Sequence, residues 1–142
     1  MSAQEIKAVV RRELEVFSTG DLSVLDEIVA PGFVGHDVAQ PEPIRGPEGL
    51  KQSVALYRSA FPDLQVTVDQ QIAEGDTVAT RWTARGTHEG ELMGVAPTGK
   101  QATVTGVSIE RVVGGKIVED RTNWDALGLL QQLGAVSAPT RA

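Results

Sequence analysis

The chain has 142 residues, of which 41% are hydrophobic and 23% charged, a composition typical of one globular domain. The 13 Lys and Arg residues against 19 Asp and Glu residues give a net charge of -6, which argues against a general attraction to nucleic acid or anionic lipid. The absence of cysteine excludes disulfides, thiolate metal ligands and a cysteine nucleophile. No apolar run approaches the ~20 residues of a membrane-spanning helix. From both observations we predict a cytoplasmic protein.

The first part of the sequence predicts three helices. Over residues 3–18 an apolar face and a polar face alternate at helical spacing; the apolar set is Ile6, Val9, Val10, Leu14 and Phe17, and the polar set is Lys7, Arg11, Arg12 and Glu13. A short second helix follows Asp21, a candidate N-cap, and stops before Pro31. The third helix, over residues 46–61, carries Pro47 in its first turn.

The segment between the second and third helices is too rich in glycine and proline for a helix. Only Phe33 and Val34 are predicted to pair there, as a brief strand. Asp37 follows His36 directly, so its carboxylate either orients the imidazole ring or forms an Asx turn before Pro41; the turn is favoured.

From Pro62 onward the apolar residues alternate, which predicts four antiparallel strands, at about residues 63–72, 77–88, 100–113 and 116–124. Gly114 and Gly115 form a hairpin turn between the last two. A final helix over 126–133 begins after Asp125, a candidate N-cap, and ends at Gly134. We expect one domain over residues 1–142, with a core at about 4–135 and a frayed tail at 136–142.

Helices followed by a meander predict an α+β domain, in which helices cover the concave face of a curved antiparallel sheet and leave a pocket for a small molecule. Strand alternation sorts the side chains by face. One face of the second strand carries Val78, Thr80, Trp82, Ala84, Gly86 and His88, which directs His88 inward near the pocket mouth. In the third strand Val104, Gly106, Ser108 and Glu110 share a face, and the pattern leaves open whether it is the inner one. In the fourth strand the shared face is Val118, Asp120, Thr122 and Trp124.

Three residues are candidate acid/base catalysts: His88, His36 and Asp120. Each has a structural alternative, because either histidine could be a satisfied core or surface residue and Asp120 could pair with Arg111 or Arg121. The candidate substrate-binding residues, which would serve equally as core, are Trp82, Tyr57, Thr122, Ser108, Trp124 and Met93. No histidine spacing suits a metal, and no phosphate or dinucleotide motif is present, so we predict neither a metal site nor a cofactor.

Four segments together resemble the SnoaL-like polyketide cyclase family, also called ester cyclases: FVGHD, FPDLQVTVD, AEGDTVATRWTARGTHEGELMGVAPTGK and RVVGGKIVEDRTNWDALGLLQQLG. The resemblance runs from about residue 4 to 135. It implies the cone-shaped α+β barrel shared with nuclear transport factor two and ketosteroid isomerase, and a homodimer formed through the sheet.

The chemistry implied by the resemblance is intramolecular aldol ring closure of a polycyclic β-keto ester, without metal or cofactor. The essential aspartate of the antibiotic cyclases falls on Thr122 of this chain, and a threonine hydroxyl is not a base near neutral pH. Two functions therefore remain open. One is an enzyme for cofactor-independent acid/base chemistry on a hydrophobic carbonyl compound, namely aldol cyclisation, isomerisation or hydrolysis. The other is a domain that has lost the base and binds a small ligand or a protein partner.

Overall fold

A computed structural model describes residues 1–137 and contains four helices and six strands. In chain order they are α1 (Ala3–Thr19), α2 (Ser23–Ile28), β1 (Val29–Asp37), β2 (Ile44–Arg45), α3 (Gly46–Ala60), β3 (Gln65–Glu74), β4 (Thr77–Thr87), β5 (Gln101–Val113), β6 (Lys116–Trp124) and α4 (Ala126–Gln132). Of the tail predicted to fray, residues 138–142 lie outside the described part of the chain.

The six strands form one sheet in the order β2-β1-β6-β5-β4-β3, and the α+β fold predicted from the sequence is confirmed. The predicted antiparallel meander is β3 to β6. The exception to the antiparallel prediction is β1, which runs parallel to β6. The sheet is curved but not closed on itself, with α1 packed across β3 to β6 and α3 against β1 and β2. No helix within residues 1–137 has the length and apolar character to cross a membrane.

The helix ends follow local sequence signals. Ser2 accepts a hydrogen bond from the backbone N–H of Glu5, whose side chain bonds back to the N–H of Ser2, so a capping box starts α1. Asp125 accepts a hydrogen bond from the N–H of Gly128 and caps α4, as predicted. The prediction for Asp21 is wrong by one residue: Leu22 is the N-cap of α2, and Asp21 accepts a hydrogen bond from the N–H of Ser23 just before the helix.

Strand β1 is much longer than the two-residue strand that the sequence predicts. Its nine residues pair with β6 on one side and β2 on the other, partners that come from distant parts of the chain. Such tertiary pairing overrides the low strand propensity of its Gly and Pro residues. The strand directs Phe33, Gly35 and Asp37 to the concave face and brings Asp37 beside Thr122.

Strand β6 contains an irregularity that the alternation could not reveal. Arg111 pairs with Glu119 whereas Val112 pairs with Ile117, so Val118 is an extra residue on β6. The prediction that Val118 shares a face with Asp120 is therefore wrong, and the fully buried Ile117 takes that place. Beyond the irregularity, Asp120, Thr122 and Trp124 share one face as predicted.

Candidate active site

The helices and the concave face of the sheet enclose a cavity of about 110 Å³. Its wall is mostly apolar, with contributions from Leu14 and Phe17 of α1, Leu50 of α3 and Leu129 of α4. Its polar lining includes Glu13, Asp37, Ser53, Tyr57, Ser108, Asp120 and Thr122. An apolar chamber with a few convergent polar groups is the usual form of a small-molecule site.

Six of the nine predicted site residues line this cavity: Asp120, Trp82, Tyr57, Thr122, Ser108 and Trp124. The face of β5 that carries Ser108 and Glu110, which the sequence pattern left open, is the inner face, because both residues are buried. The other three predicted residues, His88, His36 and Met93, are not on the cavity wall.

A chain of hydrogen bonds runs across the sheet from β4 to β6. The indole N–H of Trp82 donates to the Oγ of Ser108 at 3.0 Å, which lies 2.8 Å from the Oγ1 of Thr122. Thr122 donates in turn to the Oδ1 of Asp120 at 2.9 Å. Because an indole can only donate and an ionised carboxylate can only accept, every proton in this chain points towards Asp120. The network aligns a run of O–H and N–H dipoles on one buried carboxylate.

Asp120 is itself nearly fully buried, with 7% of its surface exposed. Burial is the largest cause that raises its pKa, to about 7, and the nearby charge of Asp37 raises it further; the hydrogen bond from Thr122 acts in the opposite direction. A carboxyl that titrates near pH 7 and lines a cavity has the properties of a general base.

Two more buried carboxyl groups lie beside Asp120. Carboxyl oxygens of Glu13, Glu110 and Asp120 all lie within 4.8 Å of one another. Burial, followed by the charge of Asp120, raises the pKa of Glu13 well above its usual value. Burial, followed by the charges of Glu13 and Asp120, does the same for Glu110. Carboxyl groups this close cannot all ionise in a buried site, so the cluster holds protons at neutral pH.

The placement of Glu13 on the polar face of the first helix is wrong. Its side chain is 2% exposed and lines the cavity. The signal was present in the sequence: residues 6, 10, 13, 14 and 17 form one stripe at helical spacing, and Glu13 is the acidic member of that otherwise apolar stripe.

Asp37 is a second residue whose role in the site was missed, although its Asx turn is confirmed by the hydrogen bond from the N–H of Ala39. Its Oδ2 accepts from the hydroxyl of Tyr57 at 2.6 Å, and its Oδ1 accepts from the indole N–H of Trp124 at 2.9 Å. Burial, followed by the charge of Asp37, raises the pKa of Tyr57 far above its usual value, so the phenol remains a donor. Asp37 thus fixes two aromatic side chains of the wall.

His88 is fully buried, which confirms its inward direction, but it lies in the core rather than at a cavity mouth. Its Nδ1 accepts from the backbone N–H of Thr98 at 3.2 Å, and its own backbone bonds with Lys100 and Gly99. The ring packs against Phe61 at 5.5 Å between centroids. These contacts tie the loop 89–99 to His88 on its Nδ1 side, as the structural alternative requires, whereas the buried Nε2 has no hydrogen-bond partner within residues 1–137.

His36 and Met93 also lie away from the cavity. His36 is exposed, because alternation along β1 turns Phe33, Gly35 and Asp37 inward and His36 outward. Met93 is 37% exposed at a tight turn with a positive φ of 53°, and its neighbour Leu92 lines the cavity instead. Neither residue lines the cavity.

Comparisons of the sequence with family models and with known proteins point to the same family. Residues 7–133 match the model of the SnoaL-like polyketide cyclase family. The chain is 30% identical over 128 residues to the aklanonic acid methyl ester cyclase AcmA of Streptomyces galilaeus, covering 89% of each protein. It is 30% identical over 122 residues to the nogalonic acid methyl ester cyclase of Streptomyces nogalater, covering 85% of this chain and 91% of the other.

Solved structures agree with this match. IdmH of Streptomyces antibioticus, for which a polyketide cyclase activity has been suggested, superimposes with a TM-score of 0.80 at 38% identity, covering 91% of this chain and 98% of that one. AclR of Streptomyces galilaeus, for which a hydroxylase activity has been suggested, gives a TM-score of 0.84 at 31% identity and covers 99% and 87%. With its family model, its cyclase relatives and its fold in agreement, the chain belongs to the SnoaL-like polyketide cyclase family.

Proposed function

We propose that this enzyme closes a ring by intramolecular aldol addition in a polycyclic β-keto ester, a substrate class represented by aklanonic and nogalonic acid methyl esters. Such a reaction needs a base for a carbon acid, a group that protonates the new alkoxide, and walls that hold a planar molecule in a reactive conformation. The observation that carries the proposal is Asp120, a buried carboxyl on the cavity wall whose pKa is raised to about 7.

Asp120 supplies the base that is missing at position 122. Thr122 stands where the resemblance places the essential aspartate, and Asp120 lies two residues earlier on the same face of β6, a displacement of about 7 Å along the strand. Thr122 still contributes, because its hydroxyl donates to Asp120. The base is thus moved along the strand rather than lost, and this argues for an enzyme over a binding domain without catalytic power.

The cavity walls suit a planar aromatic substrate. Trp82 lies in the wall from β4, and Tyr57 and Trp124 meet edge to face with their ring centroids 6.1 Å apart. Each of the three polar groups on these rings already has a partner, Ser108 for Trp82 and Asp37 for the other two. The rings are therefore held in place before substrate binds, which lowers the entropic cost of binding.

The proposal is tested by incubating the purified protein with aklanonic acid methyl ester and with nogalonic acid methyl ester. Ring closure is followed by chromatography, as a product that has the mass of the substrate but a different retention time and absorption spectrum. We expect turnover by the wild-type protein, and a loss of 10²-fold or more in kcat for Asp120→Asn, because general base catalysis is typically worth 10²–10⁴-fold. Thermal stabilisation by these esters without any turnover would favour the alternative function, a binding domain for small ligands.

We further infer a homodimer formed through the outer face of the sheet and a location in the cytoplasm. Val107 and Ile109 on the outer face of β5 are exposed, which supports an apolar contact between two copies. Size-exclusion chromatography with light scattering measures the mass of the protein in solution and so tests the proposed dimer. The mass of a monomer at micromolar concentration would contradict it.

A further inference from the structure

We propose that Glu13 is the proton donor of the ring closure: as a neutral carboxylic acid it protonates the substrate oxygen that becomes the hydroxyl group, while Asp120 takes the proton from carbon. This inference rests on the proposed function and assigns the second half of its acid/base chemistry. Both residues line the same cavity, one on α1 and the other on β6, and their carboxyl oxygens lie within 4.8 Å.

The geometry keeps Glu13 neutral. It is 2% exposed, and its Oε2 has no hydrogen-bond partner among residues 1–137. No Lys or Arg of the described chain forms a salt bridge with Glu13, Glu110 or Asp120. An isolated buried carboxylate is costly, and a second one beside it costs more, so the proton stays on the group with the poorer partners.

The partners decide which carboxyl group is the acid and which is the base. Asp120 accepts the hydrogen bond from Thr122, which stabilises its ionised form, whereas the buried Oε2 of Glu13 has no hydrogen-bond partner in the described chain. The burial that raises the pKa of both groups is therefore offset only at Asp120. Two neighbouring carboxyl groups with different environments are the usual arrangement of an acid and a base in one site.

Glu110 is the third carboxyl group of the cluster and lies on β5, behind the cavity wall. It is 1% exposed, it is not on the cavity wall, and neither of its carboxyl oxygens has a partner in the described chain. Two further groups bear on the cluster: Asp37 from β1, whose charge acts on Asp120, and Tyr57 from α3, which is bonded to Asp37. The cation on the cavity wall within residues 1–137 is the exposed Arg85 of β4, and it forms no salt bridge with the three carboxyl groups. A neutral Glu110 therefore adds no further negative charge beside Glu13 and Asp120.

The proposed cycle balances without an outside reagent. The Asp120 carboxylate removes a proton from the carbon acid; the enolate carbon attacks the ketone carbon and forms the new C–C bond, and the carbonyl π pair moves to oxygen. Glu13 donates its proton to that oxygen, which leaves Glu13 ionised and Asp120 protonated. The proton then returns from Asp120 to Glu13 across a gap of at most 4.8 Å, a span that one water molecule can bridge. The net change is one proton moved from carbon to oxygen.

The test uses Glu13→Gln, which preserves the shape and a hydrogen-bond donor but cannot transfer a proton, with Glu15→Gln on the exposed side of the same helix as control. Aklanonic acid methyl ester is incubated in D₂O, and deuterium uptake at the carbon acid is measured separately from ring closure. We expect Glu13→Gln to keep deuterium uptake within about threefold and to lose 10²-fold or more in ring closure. Glu15→Gln should match wild type, and Asp120→Asn should lose both reactions.

A second measurement needs no substrate. In protein labelled with ¹³C at the glutamate carboxyl carbons, we expect two neutral glutamic acid resonances at pH 7, from Glu13 and Glu110, and only the one from Glu13 should disappear in Glu13→Gln. A Glu13 that is ionised at pH 7 overturns the proposal whatever the activity. Normal ring closure by Glu13→Gln, with loss in Asp120→Asn, also overturns it and leaves the aldol function standing. A wild-type protein that neither exchanges nor cyclises any ester of this class overturns the proposed function, and the donor role with it.

Discussion

The hydroxyl of Thr122 donates a hydrogen bond of 2.9 Å to the Oδ1 of Asp120, its neighbour on the inner face of β6. This bond favours the charged form of a carboxyl group whose burial favours the neutral form, so it lowers a pKa that would otherwise be higher than about 7. Thr122 thereby sets the pH range in which Asp120 is a base, although it has no basicity of its own.

Thr122→Val should raise the pKa of Asp120 by about one to two units, because a hydrogen bond to a charged group is worth roughly 1.5–3 kcal/mol and one pKa unit corresponds to about 1.4 kcal/mol. The acid limb of the kcat/KM profile should move to higher pH by that amount. Thr122→Ser keeps the hydroxyl and serves as the control. An acid limb at the same pH in a folded Thr122→Val protein would contradict the coupling.

The stability of the protein should fall as pH rises. Glu13, Glu110 and Asp120 have folded-state pKa values raised above their unfolded values, so the folded state binds more protons than the unfolded state. The contribution of these three groups to the free energy of unfolding is therefore fully present below about pH 4. This contribution is lost as pH rises from about 4 through 7 for Asp120, and from about 4.5 upward through their raised folded-state pKa values for the two glutamates. We expect the Tm to fall by roughly 5–10 °C between pH 5 and 8.

Glu110→Gln is the variant that isolates this effect, because an amide of the same shape does not titrate. Its Tm should be flatter between pH 5 and 8 than that of wild type, and the two should differ most at the alkaline end. Differential scanning fluorimetry over this range, in buffers of equal ionic strength, checks it. Parallel Tm curves for wild type and Glu110→Gln would show that Glu110 does not carry a raised pKa.

Gly106 is needed for the position of Trp82. A Cβ atom at this residue would overlap the indole ring of Trp82 and touch the Cβ of Trp124. Gly106→Ala should therefore displace Trp82 from Ser108 and destabilise the protein by roughly 1–3 kcal/mol, the usual cost of overpacking. Tryptophan fluorescence and chemical denaturation measure both effects. Gly32→Ala, at a strand position with open space around it, should change neither.

His88 should prove to be a structural residue. His88→Ala removes the acceptor of the Thr98 N–H and a buried ring that packs on Phe61, so we expect a destabilisation of about 2–4 kcal/mol and faster proteolysis within residues 89–99. In the folded fraction the acid limb of activity should remain near pH 7, since that limb is assigned to Asp120. His36→Ala, on the exposed outer face, should be neutral within about 0.5 kcal/mol. Loss of the acid limb in His88→Ala would restore His88 as the acid/base residue.

The elements made of contiguous signals could be predicted from the sequence. The helix of residues 3–19 and the meander from Gln65 to Trp124 follow from periodicity. Alternation places Trp82 on the inner face of β4 and groups Asp120, Thr122 and Trp124 on one face of β6, whereas the inner face of β5, which carries Ser108, was left open. Tyr57 was predicted as an aromatic residue of the third helix. The inward direction of His88 was also predictable, whereas its distance from the cavity was not, because that depends on how the loop 89–99 folds back over it.

The features that the sequence did not reveal are set by contacts between distant segments. Strand β1 exists because β6 pairs with it in parallel, and that pairing turns Asp37 into the cavity and His36 out of it. The irregularity at Val118 shifts the alternation of β6, and no local signal marks it. Glu13 could have been identified from its position in an apolar stripe, but only the packed structure shows that Glu110 and Asp120 meet it there.

The measurement that tests the central claim most directly is the pH dependence of kcat/KM for ring closure of aklanonic acid methyl ester, compared between wild type and Asp120→Asn. The account predicts that wild-type activity rises with pH to a plateau with a midpoint near 7, as Asp120 loses its proton, and that Asp120→Asn is at least 10²-fold slower and lacks this limb. A folded Asp120→Asn protein that keeps wild-type activity and the same acid limb would contradict Asp120 as the base.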